Sequence, residues 1–206
     1  MTDLYVITGG PGTGKSSLIE MLKKYDFYVV PEAAARIIRE EKESKKPKGE
    51  TIIPEHAGRR QEFQKKVFDM HSDDLKKISP EIEKAFLDRS HVDNVAYCKY
   101  YGAPLPEGIM AAIKSSNYKK AYILEQMSKK DYIKTEIRYE GYKTAQKIHA
   151  KIYGAYKKYL HGKIVKVPLM IDSNIKAAVL NNSAELDKVI YKRMSYILKD
   201  IKGNRE

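Results

Sequence analysis

The chain has a single cysteine, Cys98, among its 206 residues. It can therefore form no disulfide within itself and no zinc cluster of thiolates, and a reducing interior suits it. His56, His71, His149 and His161 show no ligand spacing, which leaves no metal site built on histidine. No apolar run approaches the roughly 20 residues that a membrane span needs. The first such run, Leu4 to Ile7, has the length of a strand, and no leader peptide is visible ahead of it. These absences predict a soluble, cytoplasmic protein with no membrane partner. There is no internal repeat and no low-complexity tract.

With 42% hydrophobic residues the chain can bury a substantial core, and its length is that of one domain over 1–206. The net charge of +12 would suit nucleic acid, anionic lipid or small anionic substrates. The lysines are dispersed and many stand at helical spacing from Glu or Asp, so most read as solvated surface. The aromatic residues form no stacking platform, and nucleic acid is not expected as a partner. Nothing in the sequence argues against a homodimer.

Short apolar runs alternate with helical patterns. Leu4–Ile7, Phe27–Val30, Ala85–Leu87, Ala121–Leu124 and Lys163–Val167 read as buried strands. Helical periodicity covers Ser17 to Lys24, Ala33 to Glu41, Gln61 to Lys77, Val92 to Tyr101, Gly108 to Ser115 and Tyr142 to Leu160. Asn182, with Glu185 three residues on, opens a last helix with the stripe Leu186, Val189, Ile190, Met194, Ile197 and Leu198. Strands separated by helices predict a five-stranded parallel sheet covered on both faces, a three-layer α/β sandwich. Two charged segments interrupt it, an excursion over 42–60 and a second over 128–141.

Gly9-Gly10-Pro11-Gly12-Thr13-Gly14-Lys15-Ser16 fits G-x-x-x-x-G-K-[ST], a P-loop, between the first strand and the first helix. Glycines let such a loop turn its N–H groups toward one point, and the helix that follows adds its dipole. Gly10, Gly12, Thr13, Gly14, Lys15, Ser16 and Ser17 are thereby candidates to hold the phosphates of a nucleoside triphosphate, taken to be ATP. Lys15 would sit on the β- and γ-phosphates and Ser16 would offer a hydroxyl to Mg²⁺. The third strand ends in Asp88, the usual place of an acidic residue near the magnesium, so Ser16 and Asp88 form the candidate metal set. Arg89 follows where a hydrolysing motor would carry Glu, and no Asn-Lys-x-Asp supports guanine specificity.

Together with this loop, Pro31-Glu32-Ala33-Ala34-Ala35-Arg36, the helix of Gln64, Phe86-Leu87-Asp88-Arg89-Ser90 and a late basic segment resemble the P-loop small-molecule kinases. The resemblance is to nucleoside and nucleotide kinases, in particular the AAA-type ATP-binding domain proteins related to ribosylnicotinamide kinase, and it covers most of the chain. It implies Lys15, Glu32, Asp88, Arg89 and Arg138 as catalytic residues, with Glu32 as the base. The segment 128–141 would be a helical lid carrying Arg138. There Glu136 and Arg138 stand where the family usually has Asp and Arg. An acceptor would meet Glu32, Arg36, Arg60, Gln64 and Arg89, with His91 and Tyr97 as lesser candidates. Arg36 would pair with Glu32 or bind an acceptor phosphate, while Gln64 reads more readily as a surface glutamine.

Lys45, Lys46, Lys48, Arg59 and Arg60 favour an acceptor that already carries a phosphate, such as a nucleotide or a coenzyme or isoprenoid intermediate of the mevalonate phosphate kind. The expected activity is transfer of the γ-phosphoryl of Mg-ATP to such a molecule. A regulatory NTPase acting on a protein partner and a polynucleotide kinase are the alternatives.

Overall fold

The computed structural model describes residues 1–44, 59–126, 129, 141–170 and 183–203. Within them run β1 (Asp3–Thr8), α1 (Lys15–Lys24), β2 (Val29–Val30), α2 (Ala33–Glu43), α3 (Arg60–Lys76), β3 (Lys84–Asp88), α4 (His91–Tyr101), α5 (Ile109–Ser115), β4 (Tyr118–Leu124), α6 (Tyr142–Tyr159), β5 (Ile164–Val167) and α7 (Ser183–Ile201). The strands form one parallel sheet in the order β2-β3-β1-β4-β5.

The sheet is covered on both faces, which is why its strands are near-continuous apolar runs. Side chains alternate across a strand. Leu4 and Val6 therefore join Ala85, Leu87 and Ile123 beneath α4, α5 and α6. Tyr5 and Ile7 join Phe86, Tyr122 and Val165 beneath α1 and α7. A third, smaller cluster of Ile37, Ile38 and Phe63 binds α2 to α3. Cys98 is fully buried on α4.

The five strands lie where the apolar runs place them, with shifted ends. β2 is only two residues long, and Phe27 ahead of it turns its ring edge-on to Phe86 at 5.4 Å. β4 begins three residues early, at Tyr118, which pairs with Leu4. Helices shorten the expected excursion over 42–60 at both ends. Lys42 and Glu43 belong to α2, and Arg60 begins α3. Lys45, Lys46, Lys48 and His56 lie outside the described residues, as do Glu136 and Arg138. Among the described residues no helix is long and apolar enough to cross a membrane.

Candidate active site

Parallel strands deliver their carboxyl ends to one edge of the sheet, and here three of them meet there. β1 runs into the P-loop, β2 reaches Glu32 through Pro31, and β3 ends at Asp88. Around them opens a cavity of about 620 Å³. Its walls include Lys15, Ser16, Glu32, Asp88 and Arg89 on the sheet side and Gln64 from α3.

The P-loop has the backbone that a phosphate cradle requires. Gly14 caps α1 at φ 80°, a left-handed conformation that costs a residue with a Cβ. Gly10 is glycine for room. A Cβ there would stand 2.7 Å from Cβ of His149 and 3.0 Å from the carbonyl of Ala145, both on α6. The N–H of Gly10 donates to His149 Nδ1 at 3.0 Å, so it faces α6 and not the phosphate position expected of it. Thr13 is buried, and its hydroxyl donates to the carbonyl of Gly10 at 3.0 Å, leaving its backbone as the part that can meet a phosphate. Ser16 and Ser17 are exposed on the first turn of α1.

Arg89 organises the charges. Its φ of 71° is unusual for a residue with a side chain, and strain of that kind collects at functional sites. Nε donates to Glu32 Oε1 at 2.8 Å, while Nη1 donates to the carbonyl of Gly9 at 3.1 Å and to Asp93 Oδ1 at 3.0 Å. The guanidinium also lies 5.3 Å from the centre of the Tyr97 ring. Burial opposes ionisation of Glu32, but the positive charges of Arg89 and Lys15 prevail and hold its pKa below the usual carboxylate value. Glu32 thus stays an anion, and its side chain reaches Arg89 and makes no cap to α2. Burial, followed by the charge of Arg89, lowers the pKa of Lys15.

Asp88 behaves differently. Burial, and then the charge of Glu32, push its pKa up to about 7. Its Oδ1 is buried and finds no hydrogen-bond partner among the described residues. An orphaned carboxylate oxygen beside a P-loop serine fits a hydrated divalent cation, and Ser16 and Asp88 line the same cavity. The residues present therefore fit Mg²⁺, which Ser16 and Asp88 would hold.

The acceptor-side residues divide. Arg36 lines the cavity but pairs with Asp74 at 2.5 Å, not with Glu32, because α3 brings Asp74 alongside α2. Arg60 is not on the cavity wall; its guanidinium lies 4.7 Å from the centre of the Tyr101 ring. Gln64 is no surface glutamine. It is 3% exposed, and its side-chain oxygen accepts from Asn94 Nδ2 at 2.7 Å. His91 and Tyr97 both line the cavity. His91 packs edge-on to His71 at 4.6 Å, and burial lowers their pKa values to about 4 and about 3.

Three residues of this site escape the sequence reading. Asp93 is 2% exposed and accepts from Thr8 Oγ1, from Arg89, from Ser90 N at 3.0 Å and from Tyr156 OH at 2.5 Å. Its signal was present, because Ser90-x-x-Asp93 is a capping-box spacing at the start of α4. Arg193 also leaves a trace, as a cation inside the apolar stripe of the last helix. His149 leaves none, since only the approach of α6 to the P-loop gives it a partner.

With the geometry in view, known proteins place the chain. A family model described as an AAA domain matches residues 4–170. The chain belongs to that family. No curated protein matches the sequence. Among solved structures this AAA-domain protein is similar to the deoxyadenosine kinase of M. mycoides, with products dCMP and a flexible dCDP bound. The identity is 14% and the TM-score 0.59, over 98% of this chain and 100% of that one. Thymidylate kinase from Ehrlichia chaffeensis matches at 13% identity and TM-score 0.57, over 97% and 98% of the two chains. NadR protein in complex with NR matches at 16% identity and TM-score 0.55, over 94% of this chain and 51% of that one, so the chain spans about half of NadR. The fold is that of the P-loop nucleoside and nucleotide kinases.

Proposed function

We propose that this protein is a small-molecule kinase that transfers the γ-phosphoryl group of ATP to a hydroxyl of an acceptor held in the 620 Å³ cavity. The observation that carries this reading is the convergence of the P-loop, Glu32 and the Asp88-Arg89 pair on one cavity wall. A P-loop alone binds a triphosphate; a carboxylate and an arginine beside it on the wall of one cavity give a second substrate somewhere to react.

Lys15 and the N–H groups of the P-loop hold the β- and γ-phosphates. Ser16 and Asp88 would hold Mg²⁺, which would supply neutralisation of phosphate charge. Glu32, kept ionised, accepts the proton of the attacking hydroxyl, ADP departs as leaving group, and Arg89 faces the charge that the transferred group carries. Arg138 is our further candidate cation for that charge.

The acceptor is read as an uncharged molecule of nucleoside size. Three arginines line the cavity: Arg36 and Arg89 are each already matched by a carboxylate, and Arg39 stands at its exposed edge. Gln64 lines the cavity without charge, and the neutral His91 beside it has both ring nitrogens engaged, by Ser72 and Tyr118. The deoxyadenosine kinase and NadR likenesses are in keeping with a nucleoside, and the thymidylate kinase likeness with the phosphorylated acceptor that Lys45, Lys46, Lys48, Arg59 and Arg60 favour. A screen of ATP consumption over nucleosides and their monophosphates tests the reading. Turnover that depends on an acceptor is expected. Steady hydrolysis that no acceptor changes would overturn the reading in favour of a regulatory NTPase.

A further inference from the structure

Helix α7 lies beyond the residues that the family model matches, yet one of its side chains touches the P-loop. Arg193 stands on the apolar stripe of α7 with Ile190, Met194 and Ile197, and is 1% exposed. A guanidinium tolerates such burial only where its donors are used. Nη1 donates to the carbonyl of Thr13 at 2.7 Å, Nε to that of Pro168 at 2.9 Å and Nη2 to that of Glu125 at 3.3 Å. One side chain thus joins the P-loop to the chain after β5 and the chain after β4.

The consequence follows from the planar trans peptide, whose C=O and N–H point in opposite directions. Holding the Thr13 carbonyl back toward α7 turns the N–H of Gly14, in the same plane, to the other side. The plane between Gly9 and Gly10 is gripped at both ends. Arg89 takes the Gly9 carbonyl at 3.1 Å and His149 takes the Gly10 N–H at 3.0 Å. To accept that proton the Nδ1 of His149 must be unprotonated, and burial favours this neutral form.

We propose that Arg193 and His149 are positioning residues that set the orientation of the P-loop peptide planes, so that affinity for a triphosphate depends on α6 and α7. This rests on the reading of the loop as a triphosphate site. Neither residue lines the cavity; each acts through the loop's backbone.

The test is the affinity of the full chain for AMP-PNP with Mg²⁺, measured by calorimetry well below the melting temperature of each variant. Arg193→Met and His149→Leu should each weaken binding about tenfold or more, the usual scale for losing a buried hydrogen bond to a group that must stay oriented. His149→Asn should keep near-native affinity, because its Oδ1 can accept from Gly10 as the imidazole nitrogen does. A residue that serves stability alone would lower the melting temperature and leave the affinity of the folded protein unchanged. Native affinity in either the Met or the Leu variant overturns the proposal, and His149→Leu carries the test should Arg193→Met fail to fold. No AMP-PNP binding by the unaltered chain would instead overturn the triphosphate reading itself.

Discussion

Arg89 donates to Glu32 across 2.8 Å, and this bond ties the end of β2 to the end of β3 at the place where phosphoryl transfer is proposed. The pairing keeps the carboxylate ionised and oriented, as a proton acceptor must be. Glu32→Gln keeps the shape, loses the charge and cannot take a proton. Transfer should fall by about 10²- to 10⁴-fold, the range for a positioned general base, while AMP-PNP affinity stays within a few-fold. Steady-state kinetics beside calorimetry separates the two effects. Unchanged turnover would remove Glu32 from the mechanism.

Asp93 gathers four donors in a site that is 2% exposed, and Arg89 is one of them. Asp93→Asn removes the charge opposite a buried guanidinium and places an NH₂ among donors. A loss of about 3 kcal/mol is expected, the lower part of the range for breaking a buried ion pair. For a chain of this size that corresponds to a fall of about 10 °C in melting temperature. A shift under about 2 °C in a thermal melt would show that the network is dispensable.

Two glycines contrast on and beside α6. Gly10→Ala forces a methyl to within 2.7 Å of His149, so α6 or the P-loop must move, at a cost of about 1–3 kcal/mol. Gly154, within α6, has nothing within 4 Å of an added Cβ, and Gly154→Ala should stabilise by about 0.5–1 kcal/mol through helix propensity. Urea unfolding of both variants checks the opposite signs. Equal effects would remove the close approach as the reason for Gly10.

His71 and His91 are held neutral by burial, with pKa values of about 3 and about 4 against 6.5 when exposed. The unfolded chain therefore takes up protons below about pH 6.5 that the folded chain refuses. Stability from this pair is full above pH 6.5 and is lost as the pH falls toward 4. Each histidine contributes a slope of up to about 1.4 kcal/mol per pH unit. Urea unfolding between pH 6.5 and 5 should show a shallower dependence in His71→Gln than in the unaltered chain. Equal slopes would contradict the assignment.

The strands were readable because both faces of the sheet are buried, which leaves unbroken apolar runs such as Leu4 to Ile7 with glycine or proline after them. The P-loop was readable because its geometry demands a fixed set of residues. Polar partners were not readable, because they join residues far apart in sequence. Arg36 belongs to Asp74, Gln64 is buried against Asn94, and Arg193 reaches Thr13 across 180 positions. A charge count cannot foresee which arginines are already matched, as Arg36 and Arg89 are.

The burial of Cys98 has a practical outcome. Its thiol is fully enclosed on α4, and burial raises its pKa to about 11, so the thiolate that reacts with maleimides is scarce at neutral pH. The chain also contains no tryptophan. A cysteine placed at the exposed Arg39 position at the cavity's edge, or a tryptophan beside the cavity, would thus carry the only reactive thiol or the only indole signal. Nucleotide binding could then be followed by fluorescence without first removing a native residue.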